Sequence, residues 1–431
     1  MPIAPTDHEE ARGLLGFIDA APSPFHACAE AAARLEAAGF TEVRESDRWS
    51  YSGQHYLIRG GTLVAWSTPR PDTPLRFRIV GAHTDSPNLR IKPRPDAGRA
   101  GVRQLSVEVY GSPLFNSWLG RDLGVAGRVI VRSSDEPTEV RLVRVDRPVL
   151  HLPQLAIHLD REVNTAGLKV NPQEHLNPVW GVGGPDEGGF RRFLGKELGL
   201  DDGDILGWDA MVHDLTPGAL LGQDDELLAS GRLDNLCCAF AAVRALVNAS
   251  EGPMSDAVPV ICLFDHEEVG SESASGAGSP VLATVLERLV LARRGDREAF
   301  HRAVAGSMCV SADMAHATHP NYPERHDPGH SVELNGGPAI KHNVSQRYAT
   351  NAETAAVFVD ACARAGVPVQ QYVHRNDLRC GSTIGPVTAA RLGIPVVDVG
   401  APQLAMHSAR ELMGSADPGY LVAALTAFLA A

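Results

Sequence analysis

Apolar side chains recur at helical spacing over residues 7–20 and 26–38, and Ser23 or Pro24 marks the start of the second helix. Apolar or alternating runs follow at Tyr56–Arg59, Thr62–Ser67 and Phe77–Val80, and these predict strands. The last run leads directly into Gly81-Ala82-His83-Thr84-Asp85-Ser86-Pro87, a small-residue turn that carries a His and an Asp. Strand ends of α/β sheets are where such side chains are commonly put to use.

From Lys92 to Leu227 the texture changes. Short alternating segments (Gln104–Tyr110, Gly127–Val131, Glu139–Val145) are broken by Gly, Pro and Asp, and Asn177–Gly189 is a Gly/Pro-rich patch. This pattern predicts a β-rich inserted domain over 92–227. Strand and helix then alternate again. Helices are expected at Asp234–Val247, Pro280–Arg294, Ala352–Ala365 and Tyr420–Leu429, with a short one ending at Thr388–Leu392. Strands are expected at Ala257–Phe264, Met308–Ala312, Val367–Val373 and Pro395–Val399. The expectation is a mixed-sheet α/β domain built from 1–91 and 228–431, with the β-rich segment lodged between its halves. There are no internal repeats and no low-complexity tracts.

Composition narrows the function. The 431 residues are 44% apolar and 21% charged, as in ordinary globular proteins. A formal charge of −13, from 39 Lys+Arg against 52 Asp+Glu, argues against nucleic acid and anionic membrane as partners. The longest strongly apolar run, Ala257–Phe264, is far short of the about 20 residues needed to span a bilayer. Residues 1–12 hold no basic stretch followed by an apolar run, so no secretory leader is expected. Seven scattered cysteines without CxxC spacing fit reduced thiols in the cytoplasm, and they leave His, Asp and Glu to serve any metal.

Five segments carry candidate chemistry. In His83-Thr84-Asp85 the Asp can fix the tautomer of a ligating His, though a surface turn has the same composition. Gly231-Arg232-Leu233-Asp234-Asn235 opens a helix, where Asp234 is either a cap or a carboxylate shared by two ions. Asp265-His266-Glu267-Glu268 follows a strongly apolar strand, a costly place for adjacent carboxylates unless one binds metal and the other stays free as a base. Asp313 with His316, and His407 in Met406-His407-Ser408, stand at or just past strand ends, where a simple hydrogen-bonding role is the alternative. Together these form an oxygen- and imidazole-rich set suited to a pair of hydrolytic divalent ions, zinc above all, with Mn2+ or Co2+ as alternatives.

As a set, these motifs together resemble the aspartyl aminopeptidases, a branch of the co-catalytic zinc metallopeptidases. The likeness runs from Ser23-Pro24-Phe25-His26 to His407. It implies that His83, Asp234 and Asp313 hold one ion and Asp234, Glu268 and His407 the other. Asp85 would orient His83, and Glu267 would be the general base. His316 and Lys341 match substrate-contacting positions, and His158 matches a His that reaches a neighbouring subunit's active site. The loop Cys380–Pro386 also matches; it leads into a helix and, with Lys341, could select an acidic side chain, or it is a tight structural turn. The resemblance further implies a peptide substrate with acidic N-terminal preference, and an inserted domain that makes dimers assembling into dodecamers. Two other readings compete: a related two-metal carboxypeptidase or deacylase, and a scaffold that keeps the metals only for assembly.

Overall fold

A computed structural model describes residues 8–68, 75–134, 137–252 and 257–431. The described residues fold as two compact units. One draws on Met1–Asp85, Gly218–Met406 and Glu411–Ala431, the other on Ser86–Pro217 with the short segment His407–Arg410. The sequence reading drew its divisions a few residues later, after 91 and after 227, and did not separate 407–410.

The first unit is built on a nine-stranded mixed sheet. Its central strands run in the order Val258–Phe264, Phe77–His83, Met308–Ala312 and Val396–Gly400, all parallel to their neighbours. Ala339–His342 follows antiparallel to Val396–Gly400, and Gln370–Val373 closes that side. All seven residues of Val258–Phe264 are buried, because both faces of the sheet are covered. Alternate side chains serve the two layers. Val80, Ala82, Ile261, Leu263, Val310 and Ala312 join one core with the helices Leu233–Glu251 and Asp417–Leu429. Phe77, Ile79, Val260, Cys262 and Cys309 join the other with the helix Val281–Ala292. A smaller five-stranded sheet holds Ala315–His316, Pro402–Leu404 and Glu411–Gly414 among its strands.

The second unit is a closed six-stranded barrel, in the order Ile205–Asp214, Asn88–Arg99, Val102–Tyr110, Val179–Val182, Glu139–His151 and Asp122–Val131. Its interior is filled by Leu105, Val107, Val125, Val143 and Val145, and by Phe190 and Leu194.

Most expected elements are present, several with shifted ends. The first helix is Glu9–Ala20; its expected first residue, Asp7, lies outside the described residues. Ser23 caps the second, accepting from the His26 amide at 3.4 Å. The expected strand 367–373 shrinks to Gln370–Val373, since Pro368 cannot donate to a ladder. Among the helices not anticipated, two are longer than a single turn. Gly189–Leu198 supplies Phe190 and Leu194 to the barrel interior, but its sequence is charge-rich and opens at the Gly/Pro patch, which masks the period. Arg297–Ala305 is capped by Asp296, which accepts the Ala299 amide at 2.8 Å. Among the described residues no helix is long and apolar enough to cross a membrane.

Candidate metal centre

The central parallel strands deliver their chemistry to one edge. His83 ends its strand in register with Phe264, so Asp265–Glu268 begins where His83 stands. Asp313 follows directly on Ala312, the end of the next strand. Asp234 comes from the start of Leu233–Glu251, where Asp234 and Asn235 depart from helical angles and their peptide bond is cis. Asn235 donates its side-chain amide to the Ala312 carbonyl at 2.9 Å. The Asp234 amide donates to Glu411 Oε2 at 3.1 Å.

The tautomer of His83 follows from its neighbours. Its Nδ1 lies 2.9 Å from the Asp85 main-chain oxygen, which can only accept, so Nδ1 carries the hydrogen. Nε2 then points at Asp234 Oδ1 (3.4 Å), Asp313 Oδ2 (3.9 Å) and Glu267 Oε2 (4.0 Å). One ligand atom each from His83, Asp234 and Glu268 lies within 4.8 Å of the others. The Asp85 carboxylate, 3.3 Å from Nδ1, is spent chiefly elsewhere. Its two oxygens accept the amides of Glu267 and Glu268 at 3.1 and 3.1 Å. The role expected of Asp85 towards the His83 ring is thus shared with its own backbone.

Burial makes the charges of this cluster expensive. His83 and Asp85 are almost sealed from solvent, and Asp234 and Asp313 are buried. Burial pushes the Glu267 carboxyl up to about 8, and the nearby Asp313, Asp85 and Asp234 add to the rise while His83 opposes it. Asp313 is raised too, by burial first, with Lys341 pulling it back. Burial pulls His83 down, yet Asp234 and Asp85 outweigh that and hold it well above its ordinary value. An imidazole nitrogen and several carboxylates crowded at one point are a donor set for hard or borderline divalent cations. The residues fit such an ion.

Lys341, on the strand Ala339–His342, is 2% exposed. Its ammonium donates to the carbonyls of Asp313 and Met314 at 2.8 and 3.2 Å and lies 3.4 Å from Asp313 Oδ1. It also stands 5.1 Å from the centre of the Tyr348 ring. The Tyr348 and Tyr372 rings are 6.3 Å apart, and His316 lies 6.1 Å from Tyr372. A Cβ at Gly400 would come within 1.9 Å of the Asp313 carbonyl oxygen, so only glycine lets that strand pass so close. Sequence reasoning gave Glu411, Asn235 and Tyr348 no individual role. Asn235 stood inside a quoted motif, and Glu411 stands four residues past His407.

His407 and His158 belong to the second unit. His407, at φ 67°, sets its Nδ1 3.1 Å from the Ser112 carbonyl, so here too Nδ1 carries the hydrogen. His158 is exposed in a turn beside Leu155, Ile157 and Leu159, which are 58, 46 and 75% exposed. In the first unit, the helix that starts at Ile384 within Cys380–Pro386, considered for a substrate's acidic group, already faces an internal carboxylate. Asp398 accepts from the Thr383 hydroxyl at 2.6 Å beside that first turn.

Comparison with known proteins places this geometry. The family model described as aminopeptidase I zinc metalloprotease (M18) matches residues 17–429. A probable M18 family aminopeptidase 2 of Streptomyces avermitilis is 54% identical over 422 residues, covering 96% of this chain and 96% of the relative. Ape4, solved by cryo-electron microscopy in complex with Nbr1, superposes with a TM-score of 0.93 at 35% identity, over 98% of this chain and 86% of Ape4. The S. cerevisiae mApe1 dodecamer gives a TM-score of 0.85 at 27% identity, over 98% of this chain and 96% of that one. The chain belongs to the M18 family of zinc metallo-aminopeptidases, hydrolases that act on the N-terminal residues of peptides.

Proposed function

We propose that the protein removes N-terminal residues, preferentially Asp and Glu, using two divalent ions and Glu267 as general base. One observation carries this reading: His83, Glu268 and Asp313, at or just past the ends of adjacent strands, and Asp234, at a helix start, converge beside Glu267. His83, Asp234 and Asp313 would hold one zinc, and Asp234, Glu268 and His407 the other; the part of His407 rests on the motif resemblance. When bound, the two ions would lower the pKa of a shared water and polarise the scissile carbonyl. Glu267 is the carboxylate left over for proton work. It takes a proton during attack and returns it to the leaving amine.

Acidic preference is supported by Lys341, whose buried ammonium makes that flank of a carboxylate-rich site positive. His316, near Tyr372, is the second substrate contact in this reading. The apolar, exposed turn around His158 supports burial against a second copy of the chain, with His158 serving the neighbour's site. The dodecameric yeast relative supports assembly of such dimers into a homododecamer. Seven free cysteines support a cytoplasmic location.

Glu267→Gln tests the mechanism. It should abolish turnover of Asp-p-nitroanilide while zinc content and assembly stay at the wild-type level. Turnover equal to wild type in that variant would remove Glu267 from its role.

A further inference from the structure

Asp398 lies within the strand Val396–Gly400 and is 0% exposed. Its carboxylate accepts two short hydrogen bonds, from the Thr383 hydroxyl to Oδ1 and from the Ala349 amide to Oδ2, both 2.6 Å. Its own amide donates to the Thr350 hydroxyl at 2.9 Å. The carboxylate also presses on the first turn of the helix Ile384–Leu392. A Cβ at Gly385 would fall 2.4 Å from each of its oxygens, so the seat exists only because residue 385 is glycine.

One of the two segments held in this way carries a side chain that faces Lys341, and the other meets that side chain. Tyr348 precedes Ala349 and lies next to the Lys341 ammonium. Cys380, at the head of the Cys380–Thr383 segment, interacts with the Tyr348 hydroxyl. Tyr348 in turn meets Tyr372, and Tyr372 meets His316. One buried carboxylate therefore ties the Cys380 and Tyr348 parts of a wall that continues to Tyr372.

We infer that Asp398 is a positioning residue for the pocket that receives the substrate's N-terminal side chain, acting through Thr383 and Ala349 without touching substrate or metal. This rests on the proposed reading of Lys341 and His316 as substrate contacts. A displaced wall weakens binding of that side chain while His83, Asp234 and Glu268, carried by other elements, stay in place and the Asp313 amide keeps its main-chain acceptor on Val399.

The test uses Asp398→Asn, Thr383→Ala and Thr383→Ser in the full-length protein, assayed on Asp- and Leu-p-nitroanilide with zinc content measured alongside. Asp398→Asn should raise KM for Asp-p-nitroanilide by roughly tenfold or more with zinc content unchanged, since a misplacement of about 1 Å can cost a hundredfold. Thr383→Ala should raise KM in the same direction, and Thr383→Ser, which keeps the donor, should restore it. If Asp398→Asn does not fold, the Thr383 pair decides alone. Wild-type KM in Thr383→Ala, a Thr383→Ser defect as large as that of Thr383→Ala, or a loss confined to kcat and zinc content would overturn the inference. Lys341→Ala separates this idea from its parent. Wild-type KM in that variant overturns the substrate reading, whereas a raised KM there beside unaffected Asp398 and Thr383 variants overturns only the role of Asp398.

Discussion

Asp85 holds Glu268 by its backbone, Oδ2 accepting the Glu268 amide at 3.1 Å, while Oδ1 takes the Glu267 amide at the same distance. The proposed metal ligand and the proposed base are thus clipped to one carboxylate, and the main-chain oxygen of the same residue also fixes the His83 ring. Asp85→Asn keeps the shape but turns one acceptor into a donor facing an N–H. Losing such a support typically costs 10- to 100-fold in metal affinity or activity. Both zinc affinity and kcat should therefore fall by about that factor, and zinc titration with steady-state kinetics reads the two separately. A variant with full zinc affinity and wild-type kcat would show that the clip does nothing.

Glu411 plays the matching part for Asp234, accepting its amide at 3.1 Å in a buried setting. Glu411→Ala leaves that amide without its acceptor, a loss of about 1–3 kcal/mol. Glu411→Gln keeps a carbonyl oxygen for it. The alanine variant should lose zinc and thermal stability more than the glutamine variant, as followed by metal analysis and Tm. Equal losses in both would assign the effect to charge instead of to the hydrogen bond.

The architecture of the first unit could be read from the chain because its central strands are short, mostly apolar and bounded by turn residues, most clearly in Val258–Phe264. The metal-site candidates stood out for a related reason: Glu267 and Glu268 directly after such a strand demand a physical explanation. Supporting residues carried no such signal. Glu411 and Asp398 lie in segments that look like ordinary strand, and their importance is a matter of which amide or hydroxyl lies across from them. Lys341 came forward only through the motif resemblance, because nothing in its segment marks a 2% exposed ammonium set against Asp313 and Met314. The helix Gly189–Leu198 was hidden because its apolar positions are few and its flanks are glycine.

Metal removal should destabilise the protein as well as silence it. The cluster brings Asp85, Asp234 and Asp313 together out of water, and burial of like charges is unfavourable without a cation. A ligand that binds only the folded state adds stability in proportion to the logarithm of its excess over Kd, about 4 kcal/mol at a thousandfold excess. Treatment with a chelator should lower Tm and abolish hydrolysis of aminoacyl anilides, and added zinc should restore both. A Tm that does not respond to chelator would mean that the cluster is satisfied without an ion.

Asp417 gives a pH-dependence that lies outside the metal cluster. It opens the helix Asp417–Leu429, is 0% exposed, and accepts the amides of Asn335 at 2.7 Å and Gly337 at 3.1 Å. Burial pushes its carboxyl up to about 7, against the pull of those amides. Between the unfolded value of about 4 and the folded value, the native state holds a proton that the unfolded chain has released. Stability from this group therefore falls as pH rises through that window and levels off above it. Other groups titrate as well, so the quantity to measure is the difference between wild type and Asp417→Asn, in which the common terms cancel. Urea unfolding at pH 5 and pH 8 should show that difference moving against the wild type by roughly 2–3 kcal/mol as pH rises. If the difference is the same at both pH values, Asp417 is ionised throughout and its amide partners, not burial, set its charge.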